Sequence, residues 1–183
     1  RKVIPGTEEY ISCDLLVLAV GLIPENELSI QAGIELDPRT KGPVLDNRFM
    51  TSVPGIFAAG NVAVVFDLVD YVSQSGEIAA RGAVDYINGK PMEGLSYEET
   101  VPAGNINFVV PQRIVRGETA DTTLFMRVKK PDKKVAMDCE ENGTVIATKR
   151  YPFVAPPEMI SCTVTVSGNG PVKVEMKEGS GNA

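Results

Sequence analysis

Gly60 and Asn61, at the end of an apolar run, are residue types that could serve a bound cofactor. The apolar run Ile56-Phe57-Ala58-Ala59 ends at Gly60, where a missing Cβ lets backbone approach a ligand closely. Asn61 both accepts and donates hydrogen bonds and brings no charge to an anionic group. A helix expected from Asp67 follows, and the free N–H groups of a first turn can face anionic oxygen. Neither Gly60 nor Asn61 is an acid or a base, so they read as binding residues and no catalytic side chain is assigned. The chain has no His, which excludes a histidine base, a Ser-His pair or an imidazole metal ligand within it. Asp67, Asp70 and Glu77 suit a helix start and its exposed face better than a metal cluster.

Cys13, Cys139 and Cys162 are an odd number, and no CxxC is present. Neighbouring cysteines therefore build neither a thioredoxin-type pair nor a zinc knuckle. This usage fits a reducing, cytoplasmic compartment. Cys13 reads as a small buried hydrophobe at a strand start, with a redox role beside a cofactor as the alternative. Cys139 and Cys162 both fall on strands and can meet across two sheets, as a disulfide or as two core thiols. Arg127 to Lys134 carries five basic residues in eight. It reads as a solvated turn that discourages edge pairing, with an anionic partner as the alternative.

The elements that must position these residues divide near residue 97. Residues 1–97 hold 7 basic and 13 acidic residues, and residues 98–183 hold 11 of each. An acidic first half argues against a nucleic-acid footprint there. The longest apolar runs, such as Leu15 to Val20, are too short to span a membrane. Arg1 to Tyr10 lacks the apolar core of a signal peptide, and a start at Arg suggests a fragment or processed product. Leu15 to Val20 reads as a strand buried on both faces, as in a parallel sheet. Short strands are expected at Ile34–Leu36, Gly42–Leu45 and Gly55–Ala58. A helix is expected over Asp67 to Asn88, with Val72, Gly76, Ala79, Ala83 and Ile87 on its buried face. Gly94 to Gly104 reads as linker.

Beyond it the apolar residues alternate: Ile106, Phe108 and Val110; Leu124, Met126 and Val128; Val135, Met137 and Cys139; Cys162, Val164 and Val166; Val172, Val174 and Met176. Such alternation predicts a small antiparallel sandwich, immunoglobulin-like in outline. Pro131-Asp132 and Asn142-Gly143 are the expected hairpin turns. Gly179 to Ala183 reads as a frayed tail. The fold class is thus α/β plus all-β, with residues 1–97 and 98–183 as the two domains.

Thr51-Ser52-Val53-Pro54-Gly55-Ile56-Phe57-Ala58-Ala59-Gly60-Asn61 resembles the second FAD-binding signature of the pyridine nucleotide–disulfide oxidoreductase superfamily, T-x-x-P-x-I/V-F/Y-A-x-G-D. Asn61 alone departs, standing for Asp. Asp14 to Leu28 resembles the strand and turn that lead back from the NAD domain to the FAD domain, here Gly21-Leu22-Ile23-Pro24-Glu25-Asn26. The resemblance covers roughly residues 10–90. It implies that Gly60, Asn61 and Val62 meet the ribityl chain and pyrophosphate of FAD. It also implies that Asp67, Leu68 and Val69 lie by the flavin pyrimidine edge, with Tyr71 close by or packed behind. A narrower similarity rests on Gly60-Asn61-Val62, Asp67-Leu68-Val69-Asp70 and Asn107-Phe108-Val109-Val110-Pro111-Gln112. It is to the FAD-dependent oxidoreductases found with anaerobic glycerol-3-phosphate dehydrogenase, in which Asn replaces the Asp.

This superfamily needs a G-x-G-x-x-G for FAD and another for NAD(P), and this sequence has neither; Gly168-x-Gly170 opens no helix. The resemblance therefore implies a C-terminal fragment of a FAD-dependent NAD(P)H oxidoreductase, inert alone. The parent would work with an electron-transfer partner or dehydrogenase subunit, with a homo-oligomer as an open alternative. The alternative is a non-catalytic binding or assembly module acting through the β-domain.

Overall fold

The computed structural model describes residues 3–19 and 21–177. From Tyr97 onward the alternation of apolar and polar residues builds eight strands among the described residues. They are β1 Tyr97–Gly104, β2 Ile106–Val110, β3 Arg113–Val115, β4 Ala120–Val128, β5 Asp132–Glu141, β6 Thr144–Val154, β7 Ile160–Val166 and β8 Val172–Lys177. One sheet has the order β3-β1-β8-β5-β6 and the other β2-β4-β7. Side chains alternate across each strand. Leu124 and Met126 of β4 and Val164 and Val166 of β7 thereby meet Val135, Met137 and Cys139 of β5 and Val172 and Val174 of β8 in one buried core.

The second half is mostly as the alternation predicts, with three corrections. First, β1 runs parallel to β8, from Thr100 opposite Val172 to Gly104 opposite Met176. The stack is therefore mixed, not wholly antiparallel. Second, β1 occupies most of the expected linker; of its residues only Thr100 is buried, so it carries no alternation to read. Third, Pro131-Asp132 turns no hairpin, because β4 and β5 lie in different sheets. Asn142-Gly143 does join β5 to β6, with φ of 48° and 79°, the two positive values that a type I′ turn requires.

The first half contributes α1 Glu27–Gln31 and α2 Val69–Ile87. The three short strands expected there reduce to isolated antiparallel bridges, Leu36 to Pro43 and Met50 to Phe57. The expected strand Leu15 to Val20 does not form over its described residues. Leu15 to Leu18 are 70–78% exposed, because a parallel strand needs neighbours and none stands beside it among the described residues. Cys13 is exposed for the same reason. Val20 and the expected tail Gly179 to Ala183 lie outside the described residues.

A second core joins the two halves. Leu45, Phe49, Ala58, Phe66 and Ala79 pack on Phe108, Val110, Phe125 and Met159. The register of β2 shifts between Ile106 and Phe108. Ile106 thereby faces the inter-sheet core while Phe108 and Val110 turn to the first half. Such a bulge re-aims side chains, and it overturns the single face expected for these three residues. β4 alternates between both cores, and Leu124, Phe125 and Met126 are each fully buried. The β2-β4-β7 sheet is thus the middle of three layers.

The helix lies within its predicted span but is rotated. Its buried residues are Ser75, Ala79 and Gly82, whereas Ile87 of the predicted face is 81% exposed. Smallness, more than hydrophobicity, selects this face. A Cβ on Gly82 would stand 2.5 Å from the Arg48 carbonyl oxygen.

Candidate functional site

The segment Thr51–Asn61 is a tight turn followed by an extended run. The Thr51 N–H donates to the Ile56 carbonyl at 2.9 Å, and the Ala58 N–H donates to the Phe49 carbonyl at 3.1 Å. Ala59 is extended, at φ −144° and ψ 169°. Gly60 then reverses the chain at φ +64°, a left-handed conformation that a Cβ would strain. A short 3₁₀ turn, Gly60–Val62, follows.

Ser75, inside α2, fixes that reversal. Its Oγ accepts the Gly60 N–H at 2.8 Å and donates to the Val72 carbonyl at 2.6 Å. Ser75 is fully buried, so the Gly60 N–H is committed to the fold and is not available to a ligand. Asn61 is exposed. Its Oδ1 accepts the Phe66 N–H at 3.1 Å, and its Nδ2 has no acceptor among the described residues. Asn61 thus spends its acceptor on the loop and presents its donor outward.

Asn26 ties the upstream turn to this one. It is 5% exposed, and its Nδ2 donates to the Lys41 carbonyl at 3.1 Å and the Val62 carbonyl at 3.0 Å. The Ser29 hydroxyl donates to Asn26 Oδ1 at 2.8 Å. The two sequence motifs are therefore in direct contact. Asn26 closes the Gly21–Asn26 turn that the sequence singles out, whereas Ser75 carries no signal there. Their partners are 36 and 15 residues away, and only the fold makes them neighbours.

Leu68 and Val69 lie at the start of α2, both exposed, at 50% and 75%. Leu68 is the N-cap and makes no capping side-chain hydrogen bond. The N–H groups of Val69 and Asp70 precede the first intrahelical bond and face outward from the fold's own ladder. The structure brings this helix start beside the Gly60–Val62 turn, since Val72 packs there, with its Cγ1 3.5 Å from a Cβ built on Gly60. Leu68 and Val69 lie within one turn of Val72 at the start of the same helix.

Asp67 serves the fold. Its Oδ1 accepts the Met159 N–H at 3.0 Å and lies 3.5 Å from the Arg127 guanidinium. Arg127 also donates to the Val65 carbonyl at 2.9 Å and to the Pro156 and Pro157 carbonyls. The first residue of the basic run is therefore a clasp between the halves and not part of a solvated loop. Tyr71 packs edge-on against Phe125 at 5.6 Å between ring centroids, which is a core role. A free amide donor, a glycine reversal and an uncapped helix start fit the polyol and pyrophosphate of a dinucleotide, which need donors and close backbone approach.

Residues 1–80 match the pyridine nucleotide-disulphide oxidoreductase family. The chain is similar to the mitochondrial dihydrolipoyl dehydrogenases of Mus musculus, Sus scrofa and Homo sapiens, at 38% identity over 79 residues. Those residues are 42% of this chain and 15% of each relative. The chain therefore spans a small part of the length of these curated relatives. The family match ends before β1. No solved structure matches the chain.

Proposed function

We propose, with the match of residues 1–80 to the pyridine nucleotide-disulphide oxidoreductase family as premise, that this chain is the C-terminal portion of a FAD-dependent NAD(P)H oxidoreductase. It supplies one wall of the FAD site. The single observation that carries this reading is the Asn61 side chain, whose acceptor is used by the Phe66 N–H while its donor is left open. Bound FAD would supply the hydride-accepting chemistry between NAD(P)H and the electron acceptor. The Asn61 amide would donate to a ribityl hydroxyl or to a water on the pyrophosphate. Gly60 turns the backbone sharply enough for that approach, and Ser75 and Asn26 hold the turn in place. The start of α2, at Leu68 and Val69, would face the flavin edge. With no G-x-G-x-x-G, the chain alone lacks most of the phosphate grip and is inactive.

The finer reading places the parent among the oxidoreductases associated with anaerobic glycerol-3-phosphate dehydrogenase. Asn61 in place of the usual Asp supports it. The parent would pass electrons to a partner or dehydrogenase subunit, as a cytoplasmic protein. Three unpaired cysteines support that location. Residues 98–183 would form the second domain, with an immunoglobulin-like outline modified by the parallel β1–β8 pair.

The test is FAD retention by the full-length protein carrying Asn61→Ala. Loss of one hydrogen bond of about 1–1.5 kcal/mol weakens FAD binding about tenfold. Asn61→Asp is the folding control, because it keeps the acceptor for the Phe66 N–H and can accept from a ribityl hydroxyl. Unchanged FAD affinity in Asn61→Ala, with unchanged thermal unfolding, would overturn the assignment.

A further inference from the structure

Val65, Phe66 and Asp67 lie outside helix and strand, and residues beyond Tyr97 hold each of the three. The Val65 carbonyl accepts from Arg127 Nη2 at 2.9 Å. The Phe66 ring meets the Phe125 ring edge-on, with 5.3 Å between centroids. Asp67 Oδ1 accepts the Met159 N–H at 3.0 Å and lies 3.5 Å from Arg127 Nη2. Phe125 and Arg127 stand two positions apart on β4, so they share the strand face that is turned to the first half.

The same guanidinium also reaches the other way. Arg127 Nη1 donates to the Pro157 carbonyl at 2.7 Å and to the Pro156 carbonyl at 3.2 Å, in the connection between β6 and β7. One planar group thus ties that connection to Val65 through its two terminal nitrogens, a fork that the compact ammonium of a lysine lacks. The Arg127 side chain is 19% exposed, and hydrogen bonds from a charged donor are among the stronger ones.

The loop so held joins Asn61 to the start of α2. On its near side the Phe66 N–H donates to Asn61 Oδ1 at 3.1 Å, a bond that fixes the direction of the amide donor. On its far side Leu68 and Val69 follow Asp67 directly. These are the two stretches that would meet FAD under the function proposed above. A displacement of Val65–Asp67 therefore moves the Asn61 amide and the helix start together. Resting on that reading, we propose that Arg127 is a positioning residue for the FAD site. The β-rich half sets the loop Val65–Asp67 and, through it, the Asn61 amide and the start of α2, while Arg127 itself touches no cofactor atom.

The test is the FAD affinity of the full-length protein, titrated well below its unfolding temperature, for Arg127→Met, Arg127→Lys and, in parallel, Asn61→Ala. Met keeps the apolar stem and removes every donor. Lys keeps the charge and reaches one set of carbonyls at a time. The expected order of affinity is natural protein, Arg127→Lys, Arg127→Met. Arg127→Met should bind FAD about three- to tenfold more weakly than the natural protein, the range for a residue that acts through others. A clasp with no positioning role would lower the unfolding temperature and leave affinity alone. Unchanged affinity in both Arg127 variants, with weaker binding in Asn61→Ala, would overturn the positioning role and leave the FAD site standing. Unchanged affinity in all three would overturn both. Arg127→Lys decides alone if Arg127→Met does not fold.

Discussion

Gly76 and Gly82 lie on the same helix, and replacing each with Ala should move stability in opposite directions. In a helix interior, Gly to Ala gains about 0.8–1 kcal/mol from reduced backbone entropy alone. At Gly76 an added Cβ meets nothing within 4 Å, so nearly all of that gain should appear. At Gly82 the same Cβ would stand 2.5 Å from the Arg48 carbonyl oxygen and 2.8 Å from a Phe57 ring carbon. Arg48 cannot readily yield. Its N–H is held by Asp46 Oδ1 at 2.9 Å, and its guanidinium pairs with Glu118. The helix must therefore lift from the loop, and overpacking of this kind costs about 3 kcal/mol at the upper end of its usual range. Against the propensity gain, Gly82→Ala should lose about 2 kcal/mol net. Urea unfolding at near-neutral pH measures both, and the two midpoints should separate by about 1 M or more. Equal midpoints, or a more stable Gly82→Ala, would mean that α2 does not rest with Gly82 on the Arg48–Phe57 loop.

Three further changes probe the site's supports. Ser75→Ala leaves the Gly60 N–H without its acceptor in a buried position and should cost about 1–3 kcal/mol by chemical denaturation. Asn26→Ala uncouples Lys41 and Val62 from α1 and should cost a similar amount, about 1–3 kcal/mol by the same measurement. Asp46 is buried, and that burial, the largest influence on it, raises its carboxyl pKa despite the N–H groups of Arg48 and Met50. A carboxyl raised on folding binds more protons in the native state, so its burden on stability grows as pH rises through the folded pKa and is relieved below it. The stability of the natural chain minus that of Asp46→Asn should therefore increase as pH is lowered through that range. A difference independent of pH in acid titrations of unfolding would contradict the burial argument.

Sequence alone makes some of this architecture legible because some of its determinants are local. The Thr51–Asn61 segment carries its turn, its glycine reversal and its exposed amide within eleven consecutive residues, and the motif is readable there. The strands of the second half follow from an alternation that each strand carries by itself. Which sheet a strand joins is a different matter. β4 and β5 are adjacent in sequence yet belong to different layers, and a basic turn with a proline resembles a hairpin equally well in either case. β6 is mostly exposed and shows no period. The face of α2 is not legible in apolar content, which locates a buried stripe only when packing is set by hydrophobic area. Here close approach sets it, and Ser75 and Gly82 outrank Ile87. The apolar run from Leu15 has the composition of a buried strand, but burial also requires neighbours that composition cannot supply.

The middle position of the β2-β4-β7 sheet bears on how the chain can be divided. Phe108, Val110 and Phe125 are covered on one side largely by residues that precede Tyr97, among them Leu45, Phe49, Phe66 and Ala79. A piece cut at the start of β1 would keep every strand and lose that cover. Its newly bared aromatic plane would seek another such plane, as large exposed apolar patches do. Self-association and poor solubility of an excised strand region would then report a missing layer, even with all its ladders intact. The shortest piece that keeps this plane covered must retain the chain from about Leu45 through α2.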